Sequence, residues 1–173
     1  TVNPSLYRFE CKPVEKAETR KQVAVVGAGP AGCEAALTAS KRGHQVTIYE
    51  KRCIGGAMIE ASKPENKANI KRLIHYYEDH IMHDPNITLV KEEVEYETLV
   101  HSGYDAVIIA VGGKTRILNV PGIEKNSVIY ASDYLNGSTA VTGNTVVVIG
   151  GGITGAETAL ELNAEGKKVT IVE

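Results

Sequence analysis

The 173-residue sequence predicts an α/β fold built on a parallel sheet. Three observations carry that expectation. Short, nearly all-apolar runs alternate with stretches whose small and apolar residues recur at helical spacing. The strand-like runs are apolar on both faces, as strands covered by helices on either side must be. Finally, VAVVGAGPAGCEAALTASKRGHQVTIYE at 23–50 returns as VVVIGGGITGAETALELNAEGKKVTIVE at 146–173, with 13 identities and a constant offset of 123 positions. That offset is too long for a solenoid or propeller repeat, so the chain holds two copies of one supersecondary unit.

Taken in order, residues 1–21 mix Pro4 and Pro13 with many charges, lack periodicity and read as a linker arm. Gln22–Val26 is the first buried strand. Residues 30–42 carry Ala31, Ala35, Ala36 and Ala39 at helical spacing, and Gly43 stops the helix. Gln45–Tyr49 is the next strand. Residues 64–83 read as a longer helix with Ile70, Leu73, Ile74, Tyr77 and Ile81 on one stripe. One or two short strands are expected at 87–94, after the turn HDPN. YDAVIIAVGG at 104–113 is a buried strand running into a glycine pair, and VPGI at 120–123 breaks the chain. A short helix at 132–135 and the turn-rich NGSTAVTGN precede the second copy, read as strand 146–149, helix 153–165 and strand 168–172.

Composition narrows the function classes. The chain is 43% hydrophobic and 23% charged with a net charge of −2, the balance of a soluble globular protein. No apolar run approaches the roughly 20 residues that span a bilayer, and the first residues hold no apolar core of a secretory signal. Cys11, Cys33 and Cys53 form no CxxC pair, which argues against a disulfide framework or a zinc site and for a reducing, cytoplasmic setting. Near-neutral charge and a single Phe offer no basic, aromatic-studded surface for nucleic acid.

The glycine turn GAGPAG carries the chemistry. Gly27 ends a strand and lets the chain turn sharply, Gly29 leaves room for a pyrophosphate to approach the backbone, and Gly32 lets the helix pack closely. The helix N-terminus then presents free N–H groups and about half a positive charge to phosphates. Pro30 fits the first helical position, where its missing N–H costs nothing. Ala28 and Ala31 complete this contact set. Glu50 stands 23 residues after Gly27, where a carboxylate accepts hydrogen bonds from an adenosine ribose. The second copy offers Gly150, Gly152, Ile153 and Gly155, then Glu173 at the same interval. An acid there repels a 2′-phosphate and favours NAD over NADP. The expected architecture is a Rossmann-like first domain at 22–118 and the incomplete start of a second at 119–173.

Two such turns flanking YDAVIIAVGG resemble the two-dinucleotide flavoproteins, in which an NAD(P)-binding domain is inserted into an FAD-binding one. The resemblance implies FAD at the first turn and NAD(P)H at the second. The strand before the insertion carries an Ala-Thr-Gly signature in that group; here it reads Ala110-Val111-Gly112, with Val in place of Thr. EKRCIGG, with Lys51, Gly55 and Gly56, matches the stretch that closes over the FAD pyrophosphate, and Val94 joins the cofactor contacts so implied. More narrowly, VNP near the start, the arm, VVGAGPAGCEAA, ASKPENK and VPGI resemble the NADH:flavin oxidoreductases related to 2,4-dienoyl-CoA reductase, 2-enoate reductase and trimethylamine dehydrogenase. That resemblance implies an N-terminal barrel with FMN and a 4Fe-4S cluster, neither within these residues, so the chain reads as a piece of a longer protein.

Other constellations carry less. His75, His80 and His83 stand beside Asp79 and Asp84, but their spacings of five and three do not make a helical i, i+4 zinc pair, so solvent-facing histidines are expected. Lys63, Lys67, Lys71 and Arg72 read as a solvated helix face. Cys33 is expected to be buried, with no dithiol placed to exchange electrons with a flavin. No catalytic side chain is expected here, because the cofactors do the chemistry. Two functions stay open: the FAD- and NAD(P)H-handling portion of a multi-centre oxidoreductase, or a non-redox module that holds ADP. The last apolar strand, 168–172, is also expected to expose an edge that can pair with another copy.

Overall fold

The computed structural model describes residues 13–173; VNP at 2–4, Cys11 and the first part of the arm lie outside the described residues. The elements run β1 (Gln22–Val26), α1 (Pro30–Lys41), β2 (Gln45–Tyr49), α2 (Met58–Ala61), α3 (Ala68–Met82), β3 (Ile87–Val90), α4 (Tyr96–His101), β4 (Ala106–Ile109), α5 (Ala131–Leu135), β5 (Thr145–Ile149), α6 (Ile153–Ala164) and β6 (Lys168–Val172). The described residues form two compact units: 13–56 with His75–Gly112, and Ala57–Ile74 with Gly113–Glu173.

The first unit is a four-stranded parallel sheet in the order β3-β2-β1-β4. β1 is paired along both edges, and Val23, Ala24 and Val25 are buried, which is why its sequence is a continuous apolar run. α1 turns Gly32, Cys33, Ala36, Leu37, Ala39 and Ser40 inward, mostly small residues that let a helix lie close to a sheet. Gly43 ends it at φ +94°, with its N–H on the Ser40 carbonyl at 2.7 Å. Tyr77 and Ile81, one turn apart on α3, are buried, and the Tyr77 hydroxyl donates to Glu34 of α1 at 3.0 Å. The described part of the arm is tied to the sheet's other end, where Ala17 N–H donates to the Arg42 carbonyl at 2.9 Å.

The second unit holds β5 and β6, also parallel. Its core joins Val148, Ala159 and Leu162 to Tyr134 and Leu135 of α5. The Tyr134 hydroxyl donates to Glu165 at 2.8 Å.

Several expected boundaries move for local reasons. The helix expected over 64–83 starts at Ala68, because Pro64 is extended (ψ 137°) and a 3₁₀ turn over Glu65–Lys67 follows it. Strand 87–94 stops at Val90 because its partner β2 ends at Tyr49. Strand 104–113 pairs only over Ala106–Ile109, since β1 turns away at Gly27. Lys67 is not part of a solvated face: it pairs with Glu157 at 2.6 Å. The helices α2 and α4 are too short, at 4 and 6 residues, to display a helical period in sequence.

Candidate functional site

The first glycine turn sits at the carboxyl ends of β1, β2 and β4, the edge at which open parallel sheets bind ligands. Each glycine is fixed there by a separate contact. Gly27 adopts φ +98°, and a Cβ on it would stand 2.5 Å from the Ala110 carbonyl oxygen. A Cβ on Gly32 would overlap the Gly27 carbonyl oxygen of the same turn. Gly29 is the N-cap of α1, extended at φ −71° and ψ −179°, and its carbonyl accepts from Cys33 N–H at 2.9 Å. Pro30 follows at the first helical position, so the N–H groups of Ala31 and Gly32 are left with no intrahelical acceptor.

The loop after β2 folds back onto this turn. Gly55 N–H donates to the Ala28 carbonyl at 2.9 Å, and Ile54 is buried beneath. A Cβ on Gly56 would come within 2.8 Å of Gly29 Cα, whereas a Cβ on Gly29 would stand 3.9 Å from Gly56 Cα. The two glycines thus pack backbone to backbone, a contact that a side chain on Gly56 would force apart. Glu50 closes the arrangement: one carboxylate oxygen accepts from Ala28 N–H and the other from Arg52 N–H, each at 2.8 Å. A carboxylate offers about four lone-pair sites, so two backbone donors leave acceptor capacity for ribose hydroxyls.

The remaining candidates of this unit border the same edge. Lys51 pairs with Glu93 at 2.8 Å, which ties the loop after β2 to the loop after β3 where Val94 is half-buried. Ala110 N–H donates to the Val26 carbonyl at 2.8 Å, Val111 is exposed, and Gly112 turns at φ +70°. Glu93, Ile54 and the Arg52 amide were invisible to sequence reading. The only hint lies in the repeat itself, where the acid at the end of each copy meets the same amide of its own turn.

The second turn reproduces this local geometry. Gly150 adopts φ +106°, Gly152 caps α6 at φ −66° and ψ −179°, and Gly155 would overlap the Gly150 carbonyl if it carried a Cβ. Gly151 N–H donates to Glu173, as Ala28 does to Glu50. Ile153 takes the first helical position and is exposed. Around Gly150, however, a Cβ would meet nothing within 4 Å, because no strand passes there as β4 passes Gly27.

The amides and carboxylate at the first turn fit the phosphate and ribose of a nucleotide. Among the described residues, no set of His, Cys, Asp and Glu could hold a metal ion. His75 pairs with Glu78 at 3.0 Å and His83 with Asp79 at 3.2 Å, both on the exposed helix surface. Cys33 is buried, and its thiol donates to the Ala28 carbonyl at 3.2 Å. Burial, then Glu34 and Glu50, pushes its pKa from 9.0 to about 12, so it remains a thiol under the turn and no nucleophile. Cys53 is exposed. Among the described residues, no helix is long and apolar enough to cross a membrane.

A glycine turn, a helix N-terminus, and a carboxylate that closes the turn from the next strand define a dinucleotide-binding α/β unit, built here twice. Comparison with known proteins agrees: residues 21–173 match the family model described as pyridine nucleotide-disulphide oxidoreductase, and the chain belongs to that family. It is 37% identical over 174 residues to cinnamate reductase of Clostridium sporogenes, covering 99% of this chain and 26% of that protein. It is 40% identical over 178 residues to NADH oxidase of Thermoanaerobacter brockii, covering 100% of this chain and 27% of that protein. A solved 2-naphthoyl-CoA reductase, in complex with 2-naphthoyl-CoA, superposes with TM-score 0.85 at 35% identity over 92% of this chain and 24% of that one. The chain therefore spans about a quarter of the length of these relatives.

Proposed function

We propose that this chain is the dinucleotide-handling portion of a flavin-dependent oxidoreductase, with FAD at the first turn and NADH at the second. The observation that carries the reading is the first turn itself. There Gly29 and Gly56 meet backbone to backbone, the first N–H groups of α1 are left without intrahelical acceptors, and Glu50 stands beside them with acceptor capacity to spare. In this reading Gly27, Ala28, Gly29, Pro30, Ala31, Gly32, Gly55 and Gly56 enclose the pyrophosphate. Glu50, Lys51 and Val94 serve the adenosine, and Ala110, Val111 and Gly112 border the ribityl side. Gly150, Gly152, Ile153, Gly155 and Glu173 do the corresponding work for the nicotinamide dinucleotide. The domain division is 22–118 and 119–173, after an arm at 1–21.

Held by these residues, FAD would supply redox chemistry, taking hydride from NADH and passing electrons on to the 4Fe-4S cluster and FMN proposed in a barrel outside these residues. The chain's own groups hold and orient; none of them needs to gain or lose a proton. The names of two relatives, cinnamate reductase and 2-naphthoyl-CoA reductase, are those of a conjugated acid and a thioester and support an enoate- or enoyl-type compound as the electron acceptor. A second reading has one observation in its favour: every polar group converging on the first turn serves the ADP half alone, so a non-redox site for ADP is chemically complete. The absorption spectrum of the longer protein, with analysis of the nucleotide it releases, separates the two. FAD in addition to FMN supports the first reading; released ADP without FAD supports the second and overturns the first.

A further inference from the structure

Three strand ends stand side by side at the first turn. Gly27 N–H donates to the Tyr49 carbonyl of β2 at 2.8 Å, and Glu50 N–H donates to the Val90 carbonyl of β3 at 3.0 Å. A nucleotide with its phosphates at the turn after β1 and its ribose at Glu50 after β2 therefore runs toward the loop after β3. That loop carries Glu93, whose Oε1 lies 2.8 Å from Lys51 Nζ.

Lys51 stands one residue beyond the ribose acid. A bare ammonium there is a ready partner for a phosphate esterified to the ribose, and it would offset the repulsion from Glu50. The sequence Glu50-Lys51 alone thus suits plain and phosphorylated riboses equally. The fold removes that ambiguity. Glu50 is held in place by the Ala28 and Arg52 amides, while the Lys51 charge is drawn away from it and neutralised by Glu93. The ribose edge is left with the charge of Glu50. Both partners of the ion pair are exposed, so either can be changed without opening the core.

We propose that Glu93 sets the specificity of the first turn: by holding Lys51 it excludes adenosine nucleotides phosphorylated on the ribose and keeps the site for those with free ribose hydroxyls. The inference rests on the reading of the first turn as a nucleotide site. Glu93 is a positioning residue, acting through Lys51 and needing no contact with the nucleotide. Selectivity of this kind is a difference of affinities, made by withholding an attraction from the wrong ligand as much as by binding the right one.

A matched pair of probes tests it. CoA and dephospho-CoA differ only in the phosphate on the adenosine ribose. Each is titrated calorimetrically, in competition with ADP, into the 173-residue chain as wild type, Glu93→Gln and the double variant Glu93→Gln/Lys51→Gln. Wild type prefers dephospho-CoA. Glu93→Gln moves the ratio of the two dissociation constants about fivefold toward CoA, the upper worth of one exposed charge pair. The double variant returns the ratio to near its wild-type value, because the freed ammonium is gone. A wild type that prefers CoA, an unchanged ratio in Glu93→Gln, or a shift that persists in the double variant overturns the proposal and leaves the nucleotide site standing. A folded wild-type chain that binds no ADP overturns the reading of the site and this specificity with it.

Discussion

The two copies of the 28-residue unit share their turn and differ in almost everything around it. Gly29 and Gly152 cap their helices with φ within 5° of each other and the same ψ of −179°. Gly32 and Gly155 meet the carbonyl of their own turn, and Glu50 and Glu173 each hold the amide that follows the first glycine. Burial behaves otherwise. Leu37 is 4% exposed and its counterpart Leu160 is 68% exposed; Ile48 is 0% exposed and Ile171 46%. The lesson is that the unit's own sequence determines the turn, whereas burial depends on which strands and helices flank it. β1 lies between β2 and β4, while β5 has β6 alone, and two-stranded sheets are marginal without further packing.

The largest expected contrast is in the leucines. Leu37→Ala should destabilise the first unit by about 2–5 kcal/mol, the range for a buried Leu, whereas Leu160→Ala should change stability by no more than about 0.5 kcal/mol. Urea unfolding of both variants measures it; equal losses would mean the second helix is as well covered as the first. Next come the turning glycines. Gly150→Ala should cost about 1–2 kcal/mol for its positive φ alone. Gly27→Ala should cost more, because its Cβ also meets the Ala110 carbonyl at 2.5 Å. Thermal unfolding that ranks the two the other way would remove the strand-crossing contact from the account.

The smallest contrast is with alkali. Cys33 is raised from 9.0 to about 12, by burial first and then Glu34 and Glu50; Tyr77 from 10.0 to about 12, by burial and then its bond to Glu34; Tyr49 from 10.0 to about 12, by its bond to Tyr104 and then burial. Each folded group holds its proton more tightly than the unfolded one. The stability so gained is therefore complete below pH 9.0 and is lost as pH rises toward about 12. Cys33 and Tyr49 correspond to Ala156 and Val172, so the second copy lacks both groups, although its Tyr134 is also raised, by burial and by Glu165. Cys33→Ala, the residue the second copy already carries, should flatten the decline in urea stability that begins near pH 9.0. An unchanged decline would exclude the thiol as its source.

Much of this was legible in the sequence, for reasons that are local. Two glycine turns, their strands and helices, and the burial of Cys33 follow from residue types within a few positions of each other. The interval from Gly27 predicts a ribose role for Glu50, but its bonds to the Ala28 and Arg52 amides depend on how the loop over 51–56 folds back, which no interval encodes. Lys67 looked like surface because its partner Glu157 lies 90 residues along the chain. The strand at 104–113 looked longer than it is because apolar residues continue past the point where its neighbour turns away.

The most direct test of the proposal that the first turn holds the adenosine nucleotide, while the second turn in this chain lacks the flanking strand that completes the first, is calorimetric titration of this chain with ADP, comparing wild type, Gly29→Val and Gly152→Val. Valine can adopt the extended backbone of either N-cap, and its Cβ meets nothing closer than 3.9 Å at Gly29 and nothing within 4 Å at Gly152, so both variants should keep their fold by circular dichroism. The account predicts one ADP per chain in wild type, none in Gly29→Val and an unchanged isotherm in Gly152→Val. ADP binding that survives Gly29→Val in a folded protein, or that disappears with Gly152→Val, would contradict it.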